Sequence, residues 1–160
     1  MNPLQRYSSD QANAGFIKDE AQAVVIQRLH DLYADLLQHK GAKKNKPTGF
    51  LSKFLPQQKL APTMPKGLYL WGGVGQGKTY LMDIFYDSLP FKEKRRTHFH
   101  RFMQKVHRQL NELTNVSDPL QHVADQIAKQ SKVLCFDEFF VSDITDAMLL
   151  GRLFEALFAS

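Results

Sequence analysis

The stretch "LYLWGGVGQGKTYLMD", Leu68 to Asp83, starts as an apolar run, breaks into glycines at 72, 73, 75 and 77, passes a lysine and a threonine, and resumes as an amphipathic pattern. Gly72, Gly77, Lys78 and Thr79 satisfy G-x-x-x-x-G-K-[ST], with an expected strand over Gly67–Trp71 before them and an expected helix over Lys78–Asp87 after them. That context is what a phosphate-binding loop requires. The loop residues Gly72, Gly73, Val74, Gly75, Gln76, Gly77, Lys78 and Thr79 can wrap their backbone N–H groups around phosphate oxygens, and the helix N-terminus near Lys78 adds its positive end. Lys78 is placed to reach the β- and γ-phosphates, and the Thr79 hydroxyl to ligate Mg²⁺. The four fixed positions arise by chance in roughly one chain of this length in two hundred. The dinucleotide pattern G-x-G-x-x-G fails, because counting from Gly73 and Gly75 its third glycine falls on Lys78, which disfavours a nicotinamide or flavin cofactor.

A second constellation lies downstream. "VLCFDE" is an apolar strand, Val133 to Phe136, ending in two adjacent carboxylates. Asp137 suits a Mg²⁺ ligand at a strand end, and Glu138, one residue on, suits a general base that polarises the attacking water. The uninterrupted apolar run is of the kind buried on both faces of a parallel sheet.

Around these two points the sequence alternates between helical and extended periods. Asp19 to Gln22 can form a capping box for a long helix carrying Val25, Leu29, Leu32 and Leu36 on one face until Gly41. "GAKKNKPTGF" reads as a flexible basic loop. Thr97–His100 is expected as a strand after a solvated basic turn, "KEKRR". A helix bearing Met103, Val106, Leu110 and Leu113 follows, then one capped by Asp118 with Pro119 at its first position. Asp143 caps a last helix bearing Ile144, Met148, Leu150, Leu153 and Leu157. These spacings suit two right-handed βαβ crossovers. The expected fold is therefore α/β, a parallel sheet with flanking helices preceded by an N-terminal helix, with residues 1–66 as helix and basic linker and 67–160 as the P-loop domain.

Composition sets the outer bounds. At 160 residues and 43% hydrophobic the chain can bury a core, and its net charge of +5 favours anionic partners without choosing among them. The single cysteine, Cys135, cannot form an internal disulfide and reads as a buried hydrophobe, which fits a reducing compartment. The sequence contains neither a membrane-length apolar run nor a leader pattern, so a cytoplasmic protein is the expectation. His98, His100 and His107 lack a completing cysteine or carboxylate at standard metal-site spacing. Trp71 and Phe99 are expected to pack the core.

With these residues in view, the chain resembles the ZapE-like family of AAA+ ATPases, which includes the mitochondrial Afg-one-like proteins. The resemblance runs through "DEAQAVVIQRLHDLY", "PKGLYLWGGVGQGKTYLMDIFYDSLP", "HFHRFMQKVH" and, most narrowly, "LCFDEFFVSDITDAMLLGRLFEALF". It implies ATP hydrolysis with Mg²⁺, Gly72 to Thr79 matching the family's P-loop and Asp137 with Glu138 its Walker B pair, Lys78 and Glu138 being the catalytic groups. It further implies remodelling of polymers of the division protein FtsZ in the cell cycle, self-association of the full-length protein, and recruitment to the division septum. Family members are more than twice as long, so the resemblance reads this chain as an incomplete, hydrolysis-deficient AAA+ domain whose C-terminal strands and helical lid are absent. Two other readings compete: a helicase-loader type AAA+ ATPase acting on DNA, against which the "FHRFM" and "DITDAMLL" segments stand, and a non-catalytic nucleotide-binding adaptor. Nucleic acid is thus not the expected partner.

Overall fold

The computed structural model describes residues 1–13, 19–42, 65–73, 75 and 77–159. The basic loop after Ala42 lies almost wholly within 43–64, outside the described residues. The chain divides into two units, Met1–Leu89 and Pro90–Ser160.

The first unit is built of helices. α1, Pro3–Gln11, opens on a capping box: Asn2 Oδ1 accepts from the Gln5 N–H at 2.9 Å and Gln5 Oε1 accepts from the Asn2 N–H at 3.1 Å. Pro3 occupies the first helical position, where a missing N–H costs nothing. The sequence reading places no helix here, although Asn2, Pro3 and Gln5 carry its start signal. α2, Glu20–Ala42, begins where Asp19 predicts, the Asp19 carboxylate accepting from the Ala21 N–H at 2.8 Å. α3, Lys78–Ser88, follows the glycine loop and ends before Pro90 as expected. Tyr7, Ile26, Leu29, Leu81, Ile84 and Phe85 are buried where the three helices meet. Tyr80 of α3 donates to Asp10 Oδ2 of α1 at 2.8 Å; burial pushes its phenol pKa well up, and the Asp10 carboxylate adds to that.

The expected strand Gly67–Trp71 does not form: residues 65–73 carry no regular structure. A strand exists through its ladder, and among the described residues none pairs with this segment. Its side chains are open accordingly. Trp71, expected in the core, is 84% exposed, and Tyr69 is exposed with it.

The second unit holds a parallel pair of strands, β1, Lys94–His98, and β2, Val133–Asp137, in register from Lys94 opposite Val133 to His98 opposite Asp137. Two helices, α4, Phe99–Glu112, and α5, Pro119–Gln130, make the crossover between them, and α6, Ile144–Ala159, follows β2. β1 corrects the sequence reading. Lys94, Arg95 and Arg96 of the supposed basic turn are in the strand, and His100 is in α4, so His98 and His100 do not share a strand face. The register is anchored at its start, where the Glu93 carbonyl accepts from the N–H groups of Lys132 and Val133 at 2.7 and 3.4 Å.

Local caps fall where the sequence puts them. Asp118 Oδ1 accepts from the Gln121 N–H at 3.1 Å with Pro119 at the first position of α5, and Asp143 Oδ1 accepts from the Thr145 N–H at 2.6 Å ahead of α6. The amide donors at Thr145 and Asp146 hold the Asp143 carboxyl below its ordinary pKa. The core gathers Phe99, Phe102, Met103 and Val106 of α4, Leu120, Val123 and Ile127 of α5, and Leu150 and Leu153 of α6. Phe136 of β2 meets Phe102 edge-on at 4.8 Å between ring centroids. Ile144 and Met148, expected on the buried stripe of α6, are exposed. The stripe runs through Leu150, Leu153 and Leu157, and a residue two places from Leu150 lies about 200° away round the helix.

Candidate phosphate-binding loop and acidic strand end

The glycine loop belongs to the first unit. Gly75 and Gly77 have φ of 81° and 76°, in the left-handed region where side chains with a Cβ are strained. These two positions turn the chain onto α3. Gly77 is the N-cap and has no side chain to accept from the first N–H groups of the helix, and the first turn carries no acidic residue. That leaves a helix terminus with orphan donors and uncompensated positive potential, the physical requirement for an anion site. Lys78 folds back so that Nζ donates to the carbonyls of Gly72 at 2.9 Å and Gly73 at 2.5 Å, which brings its ammonium inside the curve of the loop. Thr79, in the first turn of α3, is exposed. Val74 and Gln76 lie outside the described residues. An ammonium, an uncapped helix start, a glycine cradle and an exposed hydroxyl form a donor set that fits a phosphate chain with its divalent cation.

Asp137 and Glu138 belong to the second unit. Asp137 closes β2 and is held by Arg96 of β1, whose Nε and Nη2 donate to Oδ2 and Oδ1 at 2.7 and 3.0 Å. Both side chains are 22% exposed, so this two-point pair is half dry. Arg96 carries no site signal while "KEKRR" reads as a turn; the alternation of a strand running to His98 is the signal that places it on the same strand face as the residue at the sheet end. Glu138 follows in a left-handed conformation, φ 53°, which turns its carboxylate away from the strand line into solvent. The nearest basic group is His98, with Nδ1 at 3.9 Å from Glu138 Oε2. Both Asp137 oxygens are thus engaged by the guanidinium, whereas the Glu138 carboxylate is open to water. Cys135, two residues before Asp137, is buried, and desolvation pushes its thiol up to about 11.

A glycine loop feeding an uncapped helix in one unit and, in the other, an acidic end to a parallel strand are features by which the P-loop class of nucleotide-binding proteins is defined. The comparison with known families is consistent with that definition and narrower: the AFG1-like ATPase model matches residues 1–160, and the chain belongs to that family. Among curated proteins it is similar to the cell division protein ZapE of Escherichia coli strain K12, with 43% identity over 163 residues covering 99% of this chain and 43% of that protein. It is also 44% identical over 108 residues to lactation elevated protein 1 homolog B of Danio rerio, across 61% of this chain and 22% of that protein. An uncharacterized protein of Schizosaccharomyces pombe is 49% identical over 122 residues, 72% of this chain and 26% of its own. The chain thus spans less than half the length of these relatives. No solved structure matches it. Among the described residues no helix is long and apolar enough to cross a membrane.

Proposed function

We propose that this chain binds ATP with Mg²⁺ through Gly72–Thr79 and contributes, with Asp137 and Glu138, to an ATPase of the ZapE type that acts on FtsZ polymers during cell division. The observation that carries the nucleotide reading is the left-handed turn at Gly77 opening α3 without a side-chain cap, with the Lys78 ammonium curled into the loop. The cell-division role rests on the similarity to the E. coli relative. In this reading the protein works in the cytoplasm at the division septum.

Lys78 exchanges its two carbonyl partners for β- and γ-phosphate oxygens and neutralises charge that grows on the γ-phosphoryl group. A bound Mg²⁺ would supply positive charge against the phosphates. Thr79, in the first turn of α3, would offer its hydroxyl to that cation, and Asp137, whose carboxylate Arg96 orients, would offer an oxygen. Glu138, open to solvent, accepts a proton from the attacking water.

Calorimetry of Mg·ATP binding tests the nucleotide reading. Lys78→Ala is expected to remove measurable binding, and Glu138→Gln to spare it while cutting turnover in an active full-length protein by about 10² or more. Undiminished affinity in Lys78→Ala refutes the loop assignment. Sedimentation of FtsZ filaments with and without the full-length protein and ATP tests the partner; filaments indifferent to it would remove FtsZ from the proposal.

A further inference from the structure

A cavity of about 370 Å³ opens beside the glycine loop within the first unit. Small-molecule pockets run from about 300 to 1,000 Å³, so it has room for a purine with part of its sugar. Its walls come from two stretches that the sequence reading left without a ligand role. The start of α2 supplies Asp19, Gln22 and Val25, the irregular lead-in to the loop supplies Tyr69 and Trp71, and Lys78 lines the cavity from the start of α3.

We infer that this cavity takes the nucleobase and that Gln22 selects adenine; the inference rests on the phosphate assignment above. Tyr69 and Trp71 both line the cavity, and both are exposed. Aromatic faces open to water next to a phosphate cradle give a flat base a surface to cover. Gln22 supplies the polar edge. Its amide lies so close to Gly77 that a Cβ added there would sit 2.8 Å from Nε2, which places the amide at the junction of the phosphate loop and the cavity. Asp19 fixes that geometry by capping the first turn of α2 through the Ala21 N–H. A glutamine amide matches adenine at two points, accepting from N6–H₂ and donating to N7, as it does when proteins read adenine in DNA. Guanine offers two acceptors, O6 and N7, at the same edge, so the amide oxygen would face a carbonyl. Val25 closes the apolar floor.

The site carries its own reporter, because Trp71 is the only tryptophan in the chain. Its fluorescence is to be titrated with ADP, GDP and tripolyphosphate in the presence of Mg²⁺, for the unmodified chain, Gln22→Ala, Gln22→Glu and Lys78→Ala. Circular dichroism is to confirm that each variant keeps its helices. The expected result is a change in Trp71 emission with ADP and an ADP affinity about tenfold or more above that for GDP. Gln22→Ala should bring that ratio towards one and leave tripolyphosphate affinity unchanged. Gln22→Glu, which keeps the size but removes the donor to N7, should do the same. If ADP, GDP and tripolyphosphate bind alike and neither Gln22 variant alters them while Lys78→Ala abolishes all three, the phosphate reading stands and the base site is refuted. If tripolyphosphate and ADP fail to bind at all, both readings fall. A Gln22 variant that weakens tripolyphosphate as much as ADP assigns Gln22 to the loop and overturns its role in base selection.

Discussion

Arg96 and Asp137 are the perturbation most directly priced by the geometry. The pair joins the two strands of the second unit across 41 residues of sequence, with two charge-assisted hydrogen bonds at 2.7 and 3.0 Å. Fully exposed pairs couple by about 0.2–1 kcal/mol and breaking a dry pair costs about 3–5 kcal/mol. At 22% exposure on each side, screening reaches the pair in part, and a coupling of about 1–2 kcal/mol is expected. The test is a double-mutant cycle with Arg96→Met, which keeps the aliphatic stem, and Asp137→Asn, which keeps the shape. Unfolding in urea should be followed by far-ultraviolet circular dichroism, because Trp71 belongs to the other unit. Each single variant should lower the unfolding free energy by roughly 1–2 kcal/mol, and the double variant by clearly less than the sum. A coupling below about 0.3 kcal/mol, the usual error of additivity, would refute the argument that Arg96 orients Asp137.

Two glycine substitutions should have opposite signs. Gly77→Ala puts a Cβ on a residue at φ 76°, which costs about 1–2 kcal/mol and moves the loop, so ADP affinity should fall with stability. Gly151→Ala lies in α6 with nothing within 4 Å of the new methyl and should raise stability by about 0.5–1 kcal/mol; a loss there would mean the helix is packed differently. Cys135 offers a pH test. With its thiol pushed up to about 11, the thiolate at pH 8 is scarcer than in the unfolded chain by roughly 10²-fold, so labelling by a thiol reagent should be slower by at least that factor until the pH approaches 11. The same shift makes folding stability full below the unfolded thiol's pKa and declining as pH rises through the folded one. Native and denatured rates that match at pH 8 would show that β2 is open to solvent.

Signals carried by adjacent residues were legible without a structure. The glycine loop, the caps at Asp19, Asp118 and Asp143, and the apolar run ending in Asp137 and Glu138 each act within one turn or one strand end, so their spacing alone reports them. The start of α1 is equally local, carried by Asn2, Pro3 and Gln5 within one turn. What depends on a distant partner had no such signature. β1 begins at Lys94 because Val133 to Cys135 lie alongside it, and a strand of cations becomes regular only when its backbone groups are paired. Residues 67–71 show the converse, an apolar run of strand composition that stays irregular where no described segment supplies the ladder. The buried side of α6 is set by the helix it meets, α5, which its own sequence does not name. Likewise the amide of Gln22 faces Gly77, and the guanidinium of Arg96 faces Asp137, only because packing and register bring separate segments together. Local geometry is written in the order of the residues, whereas contacts between segments depend on burial summed over many side chains, and that sum exists only in the folded chain.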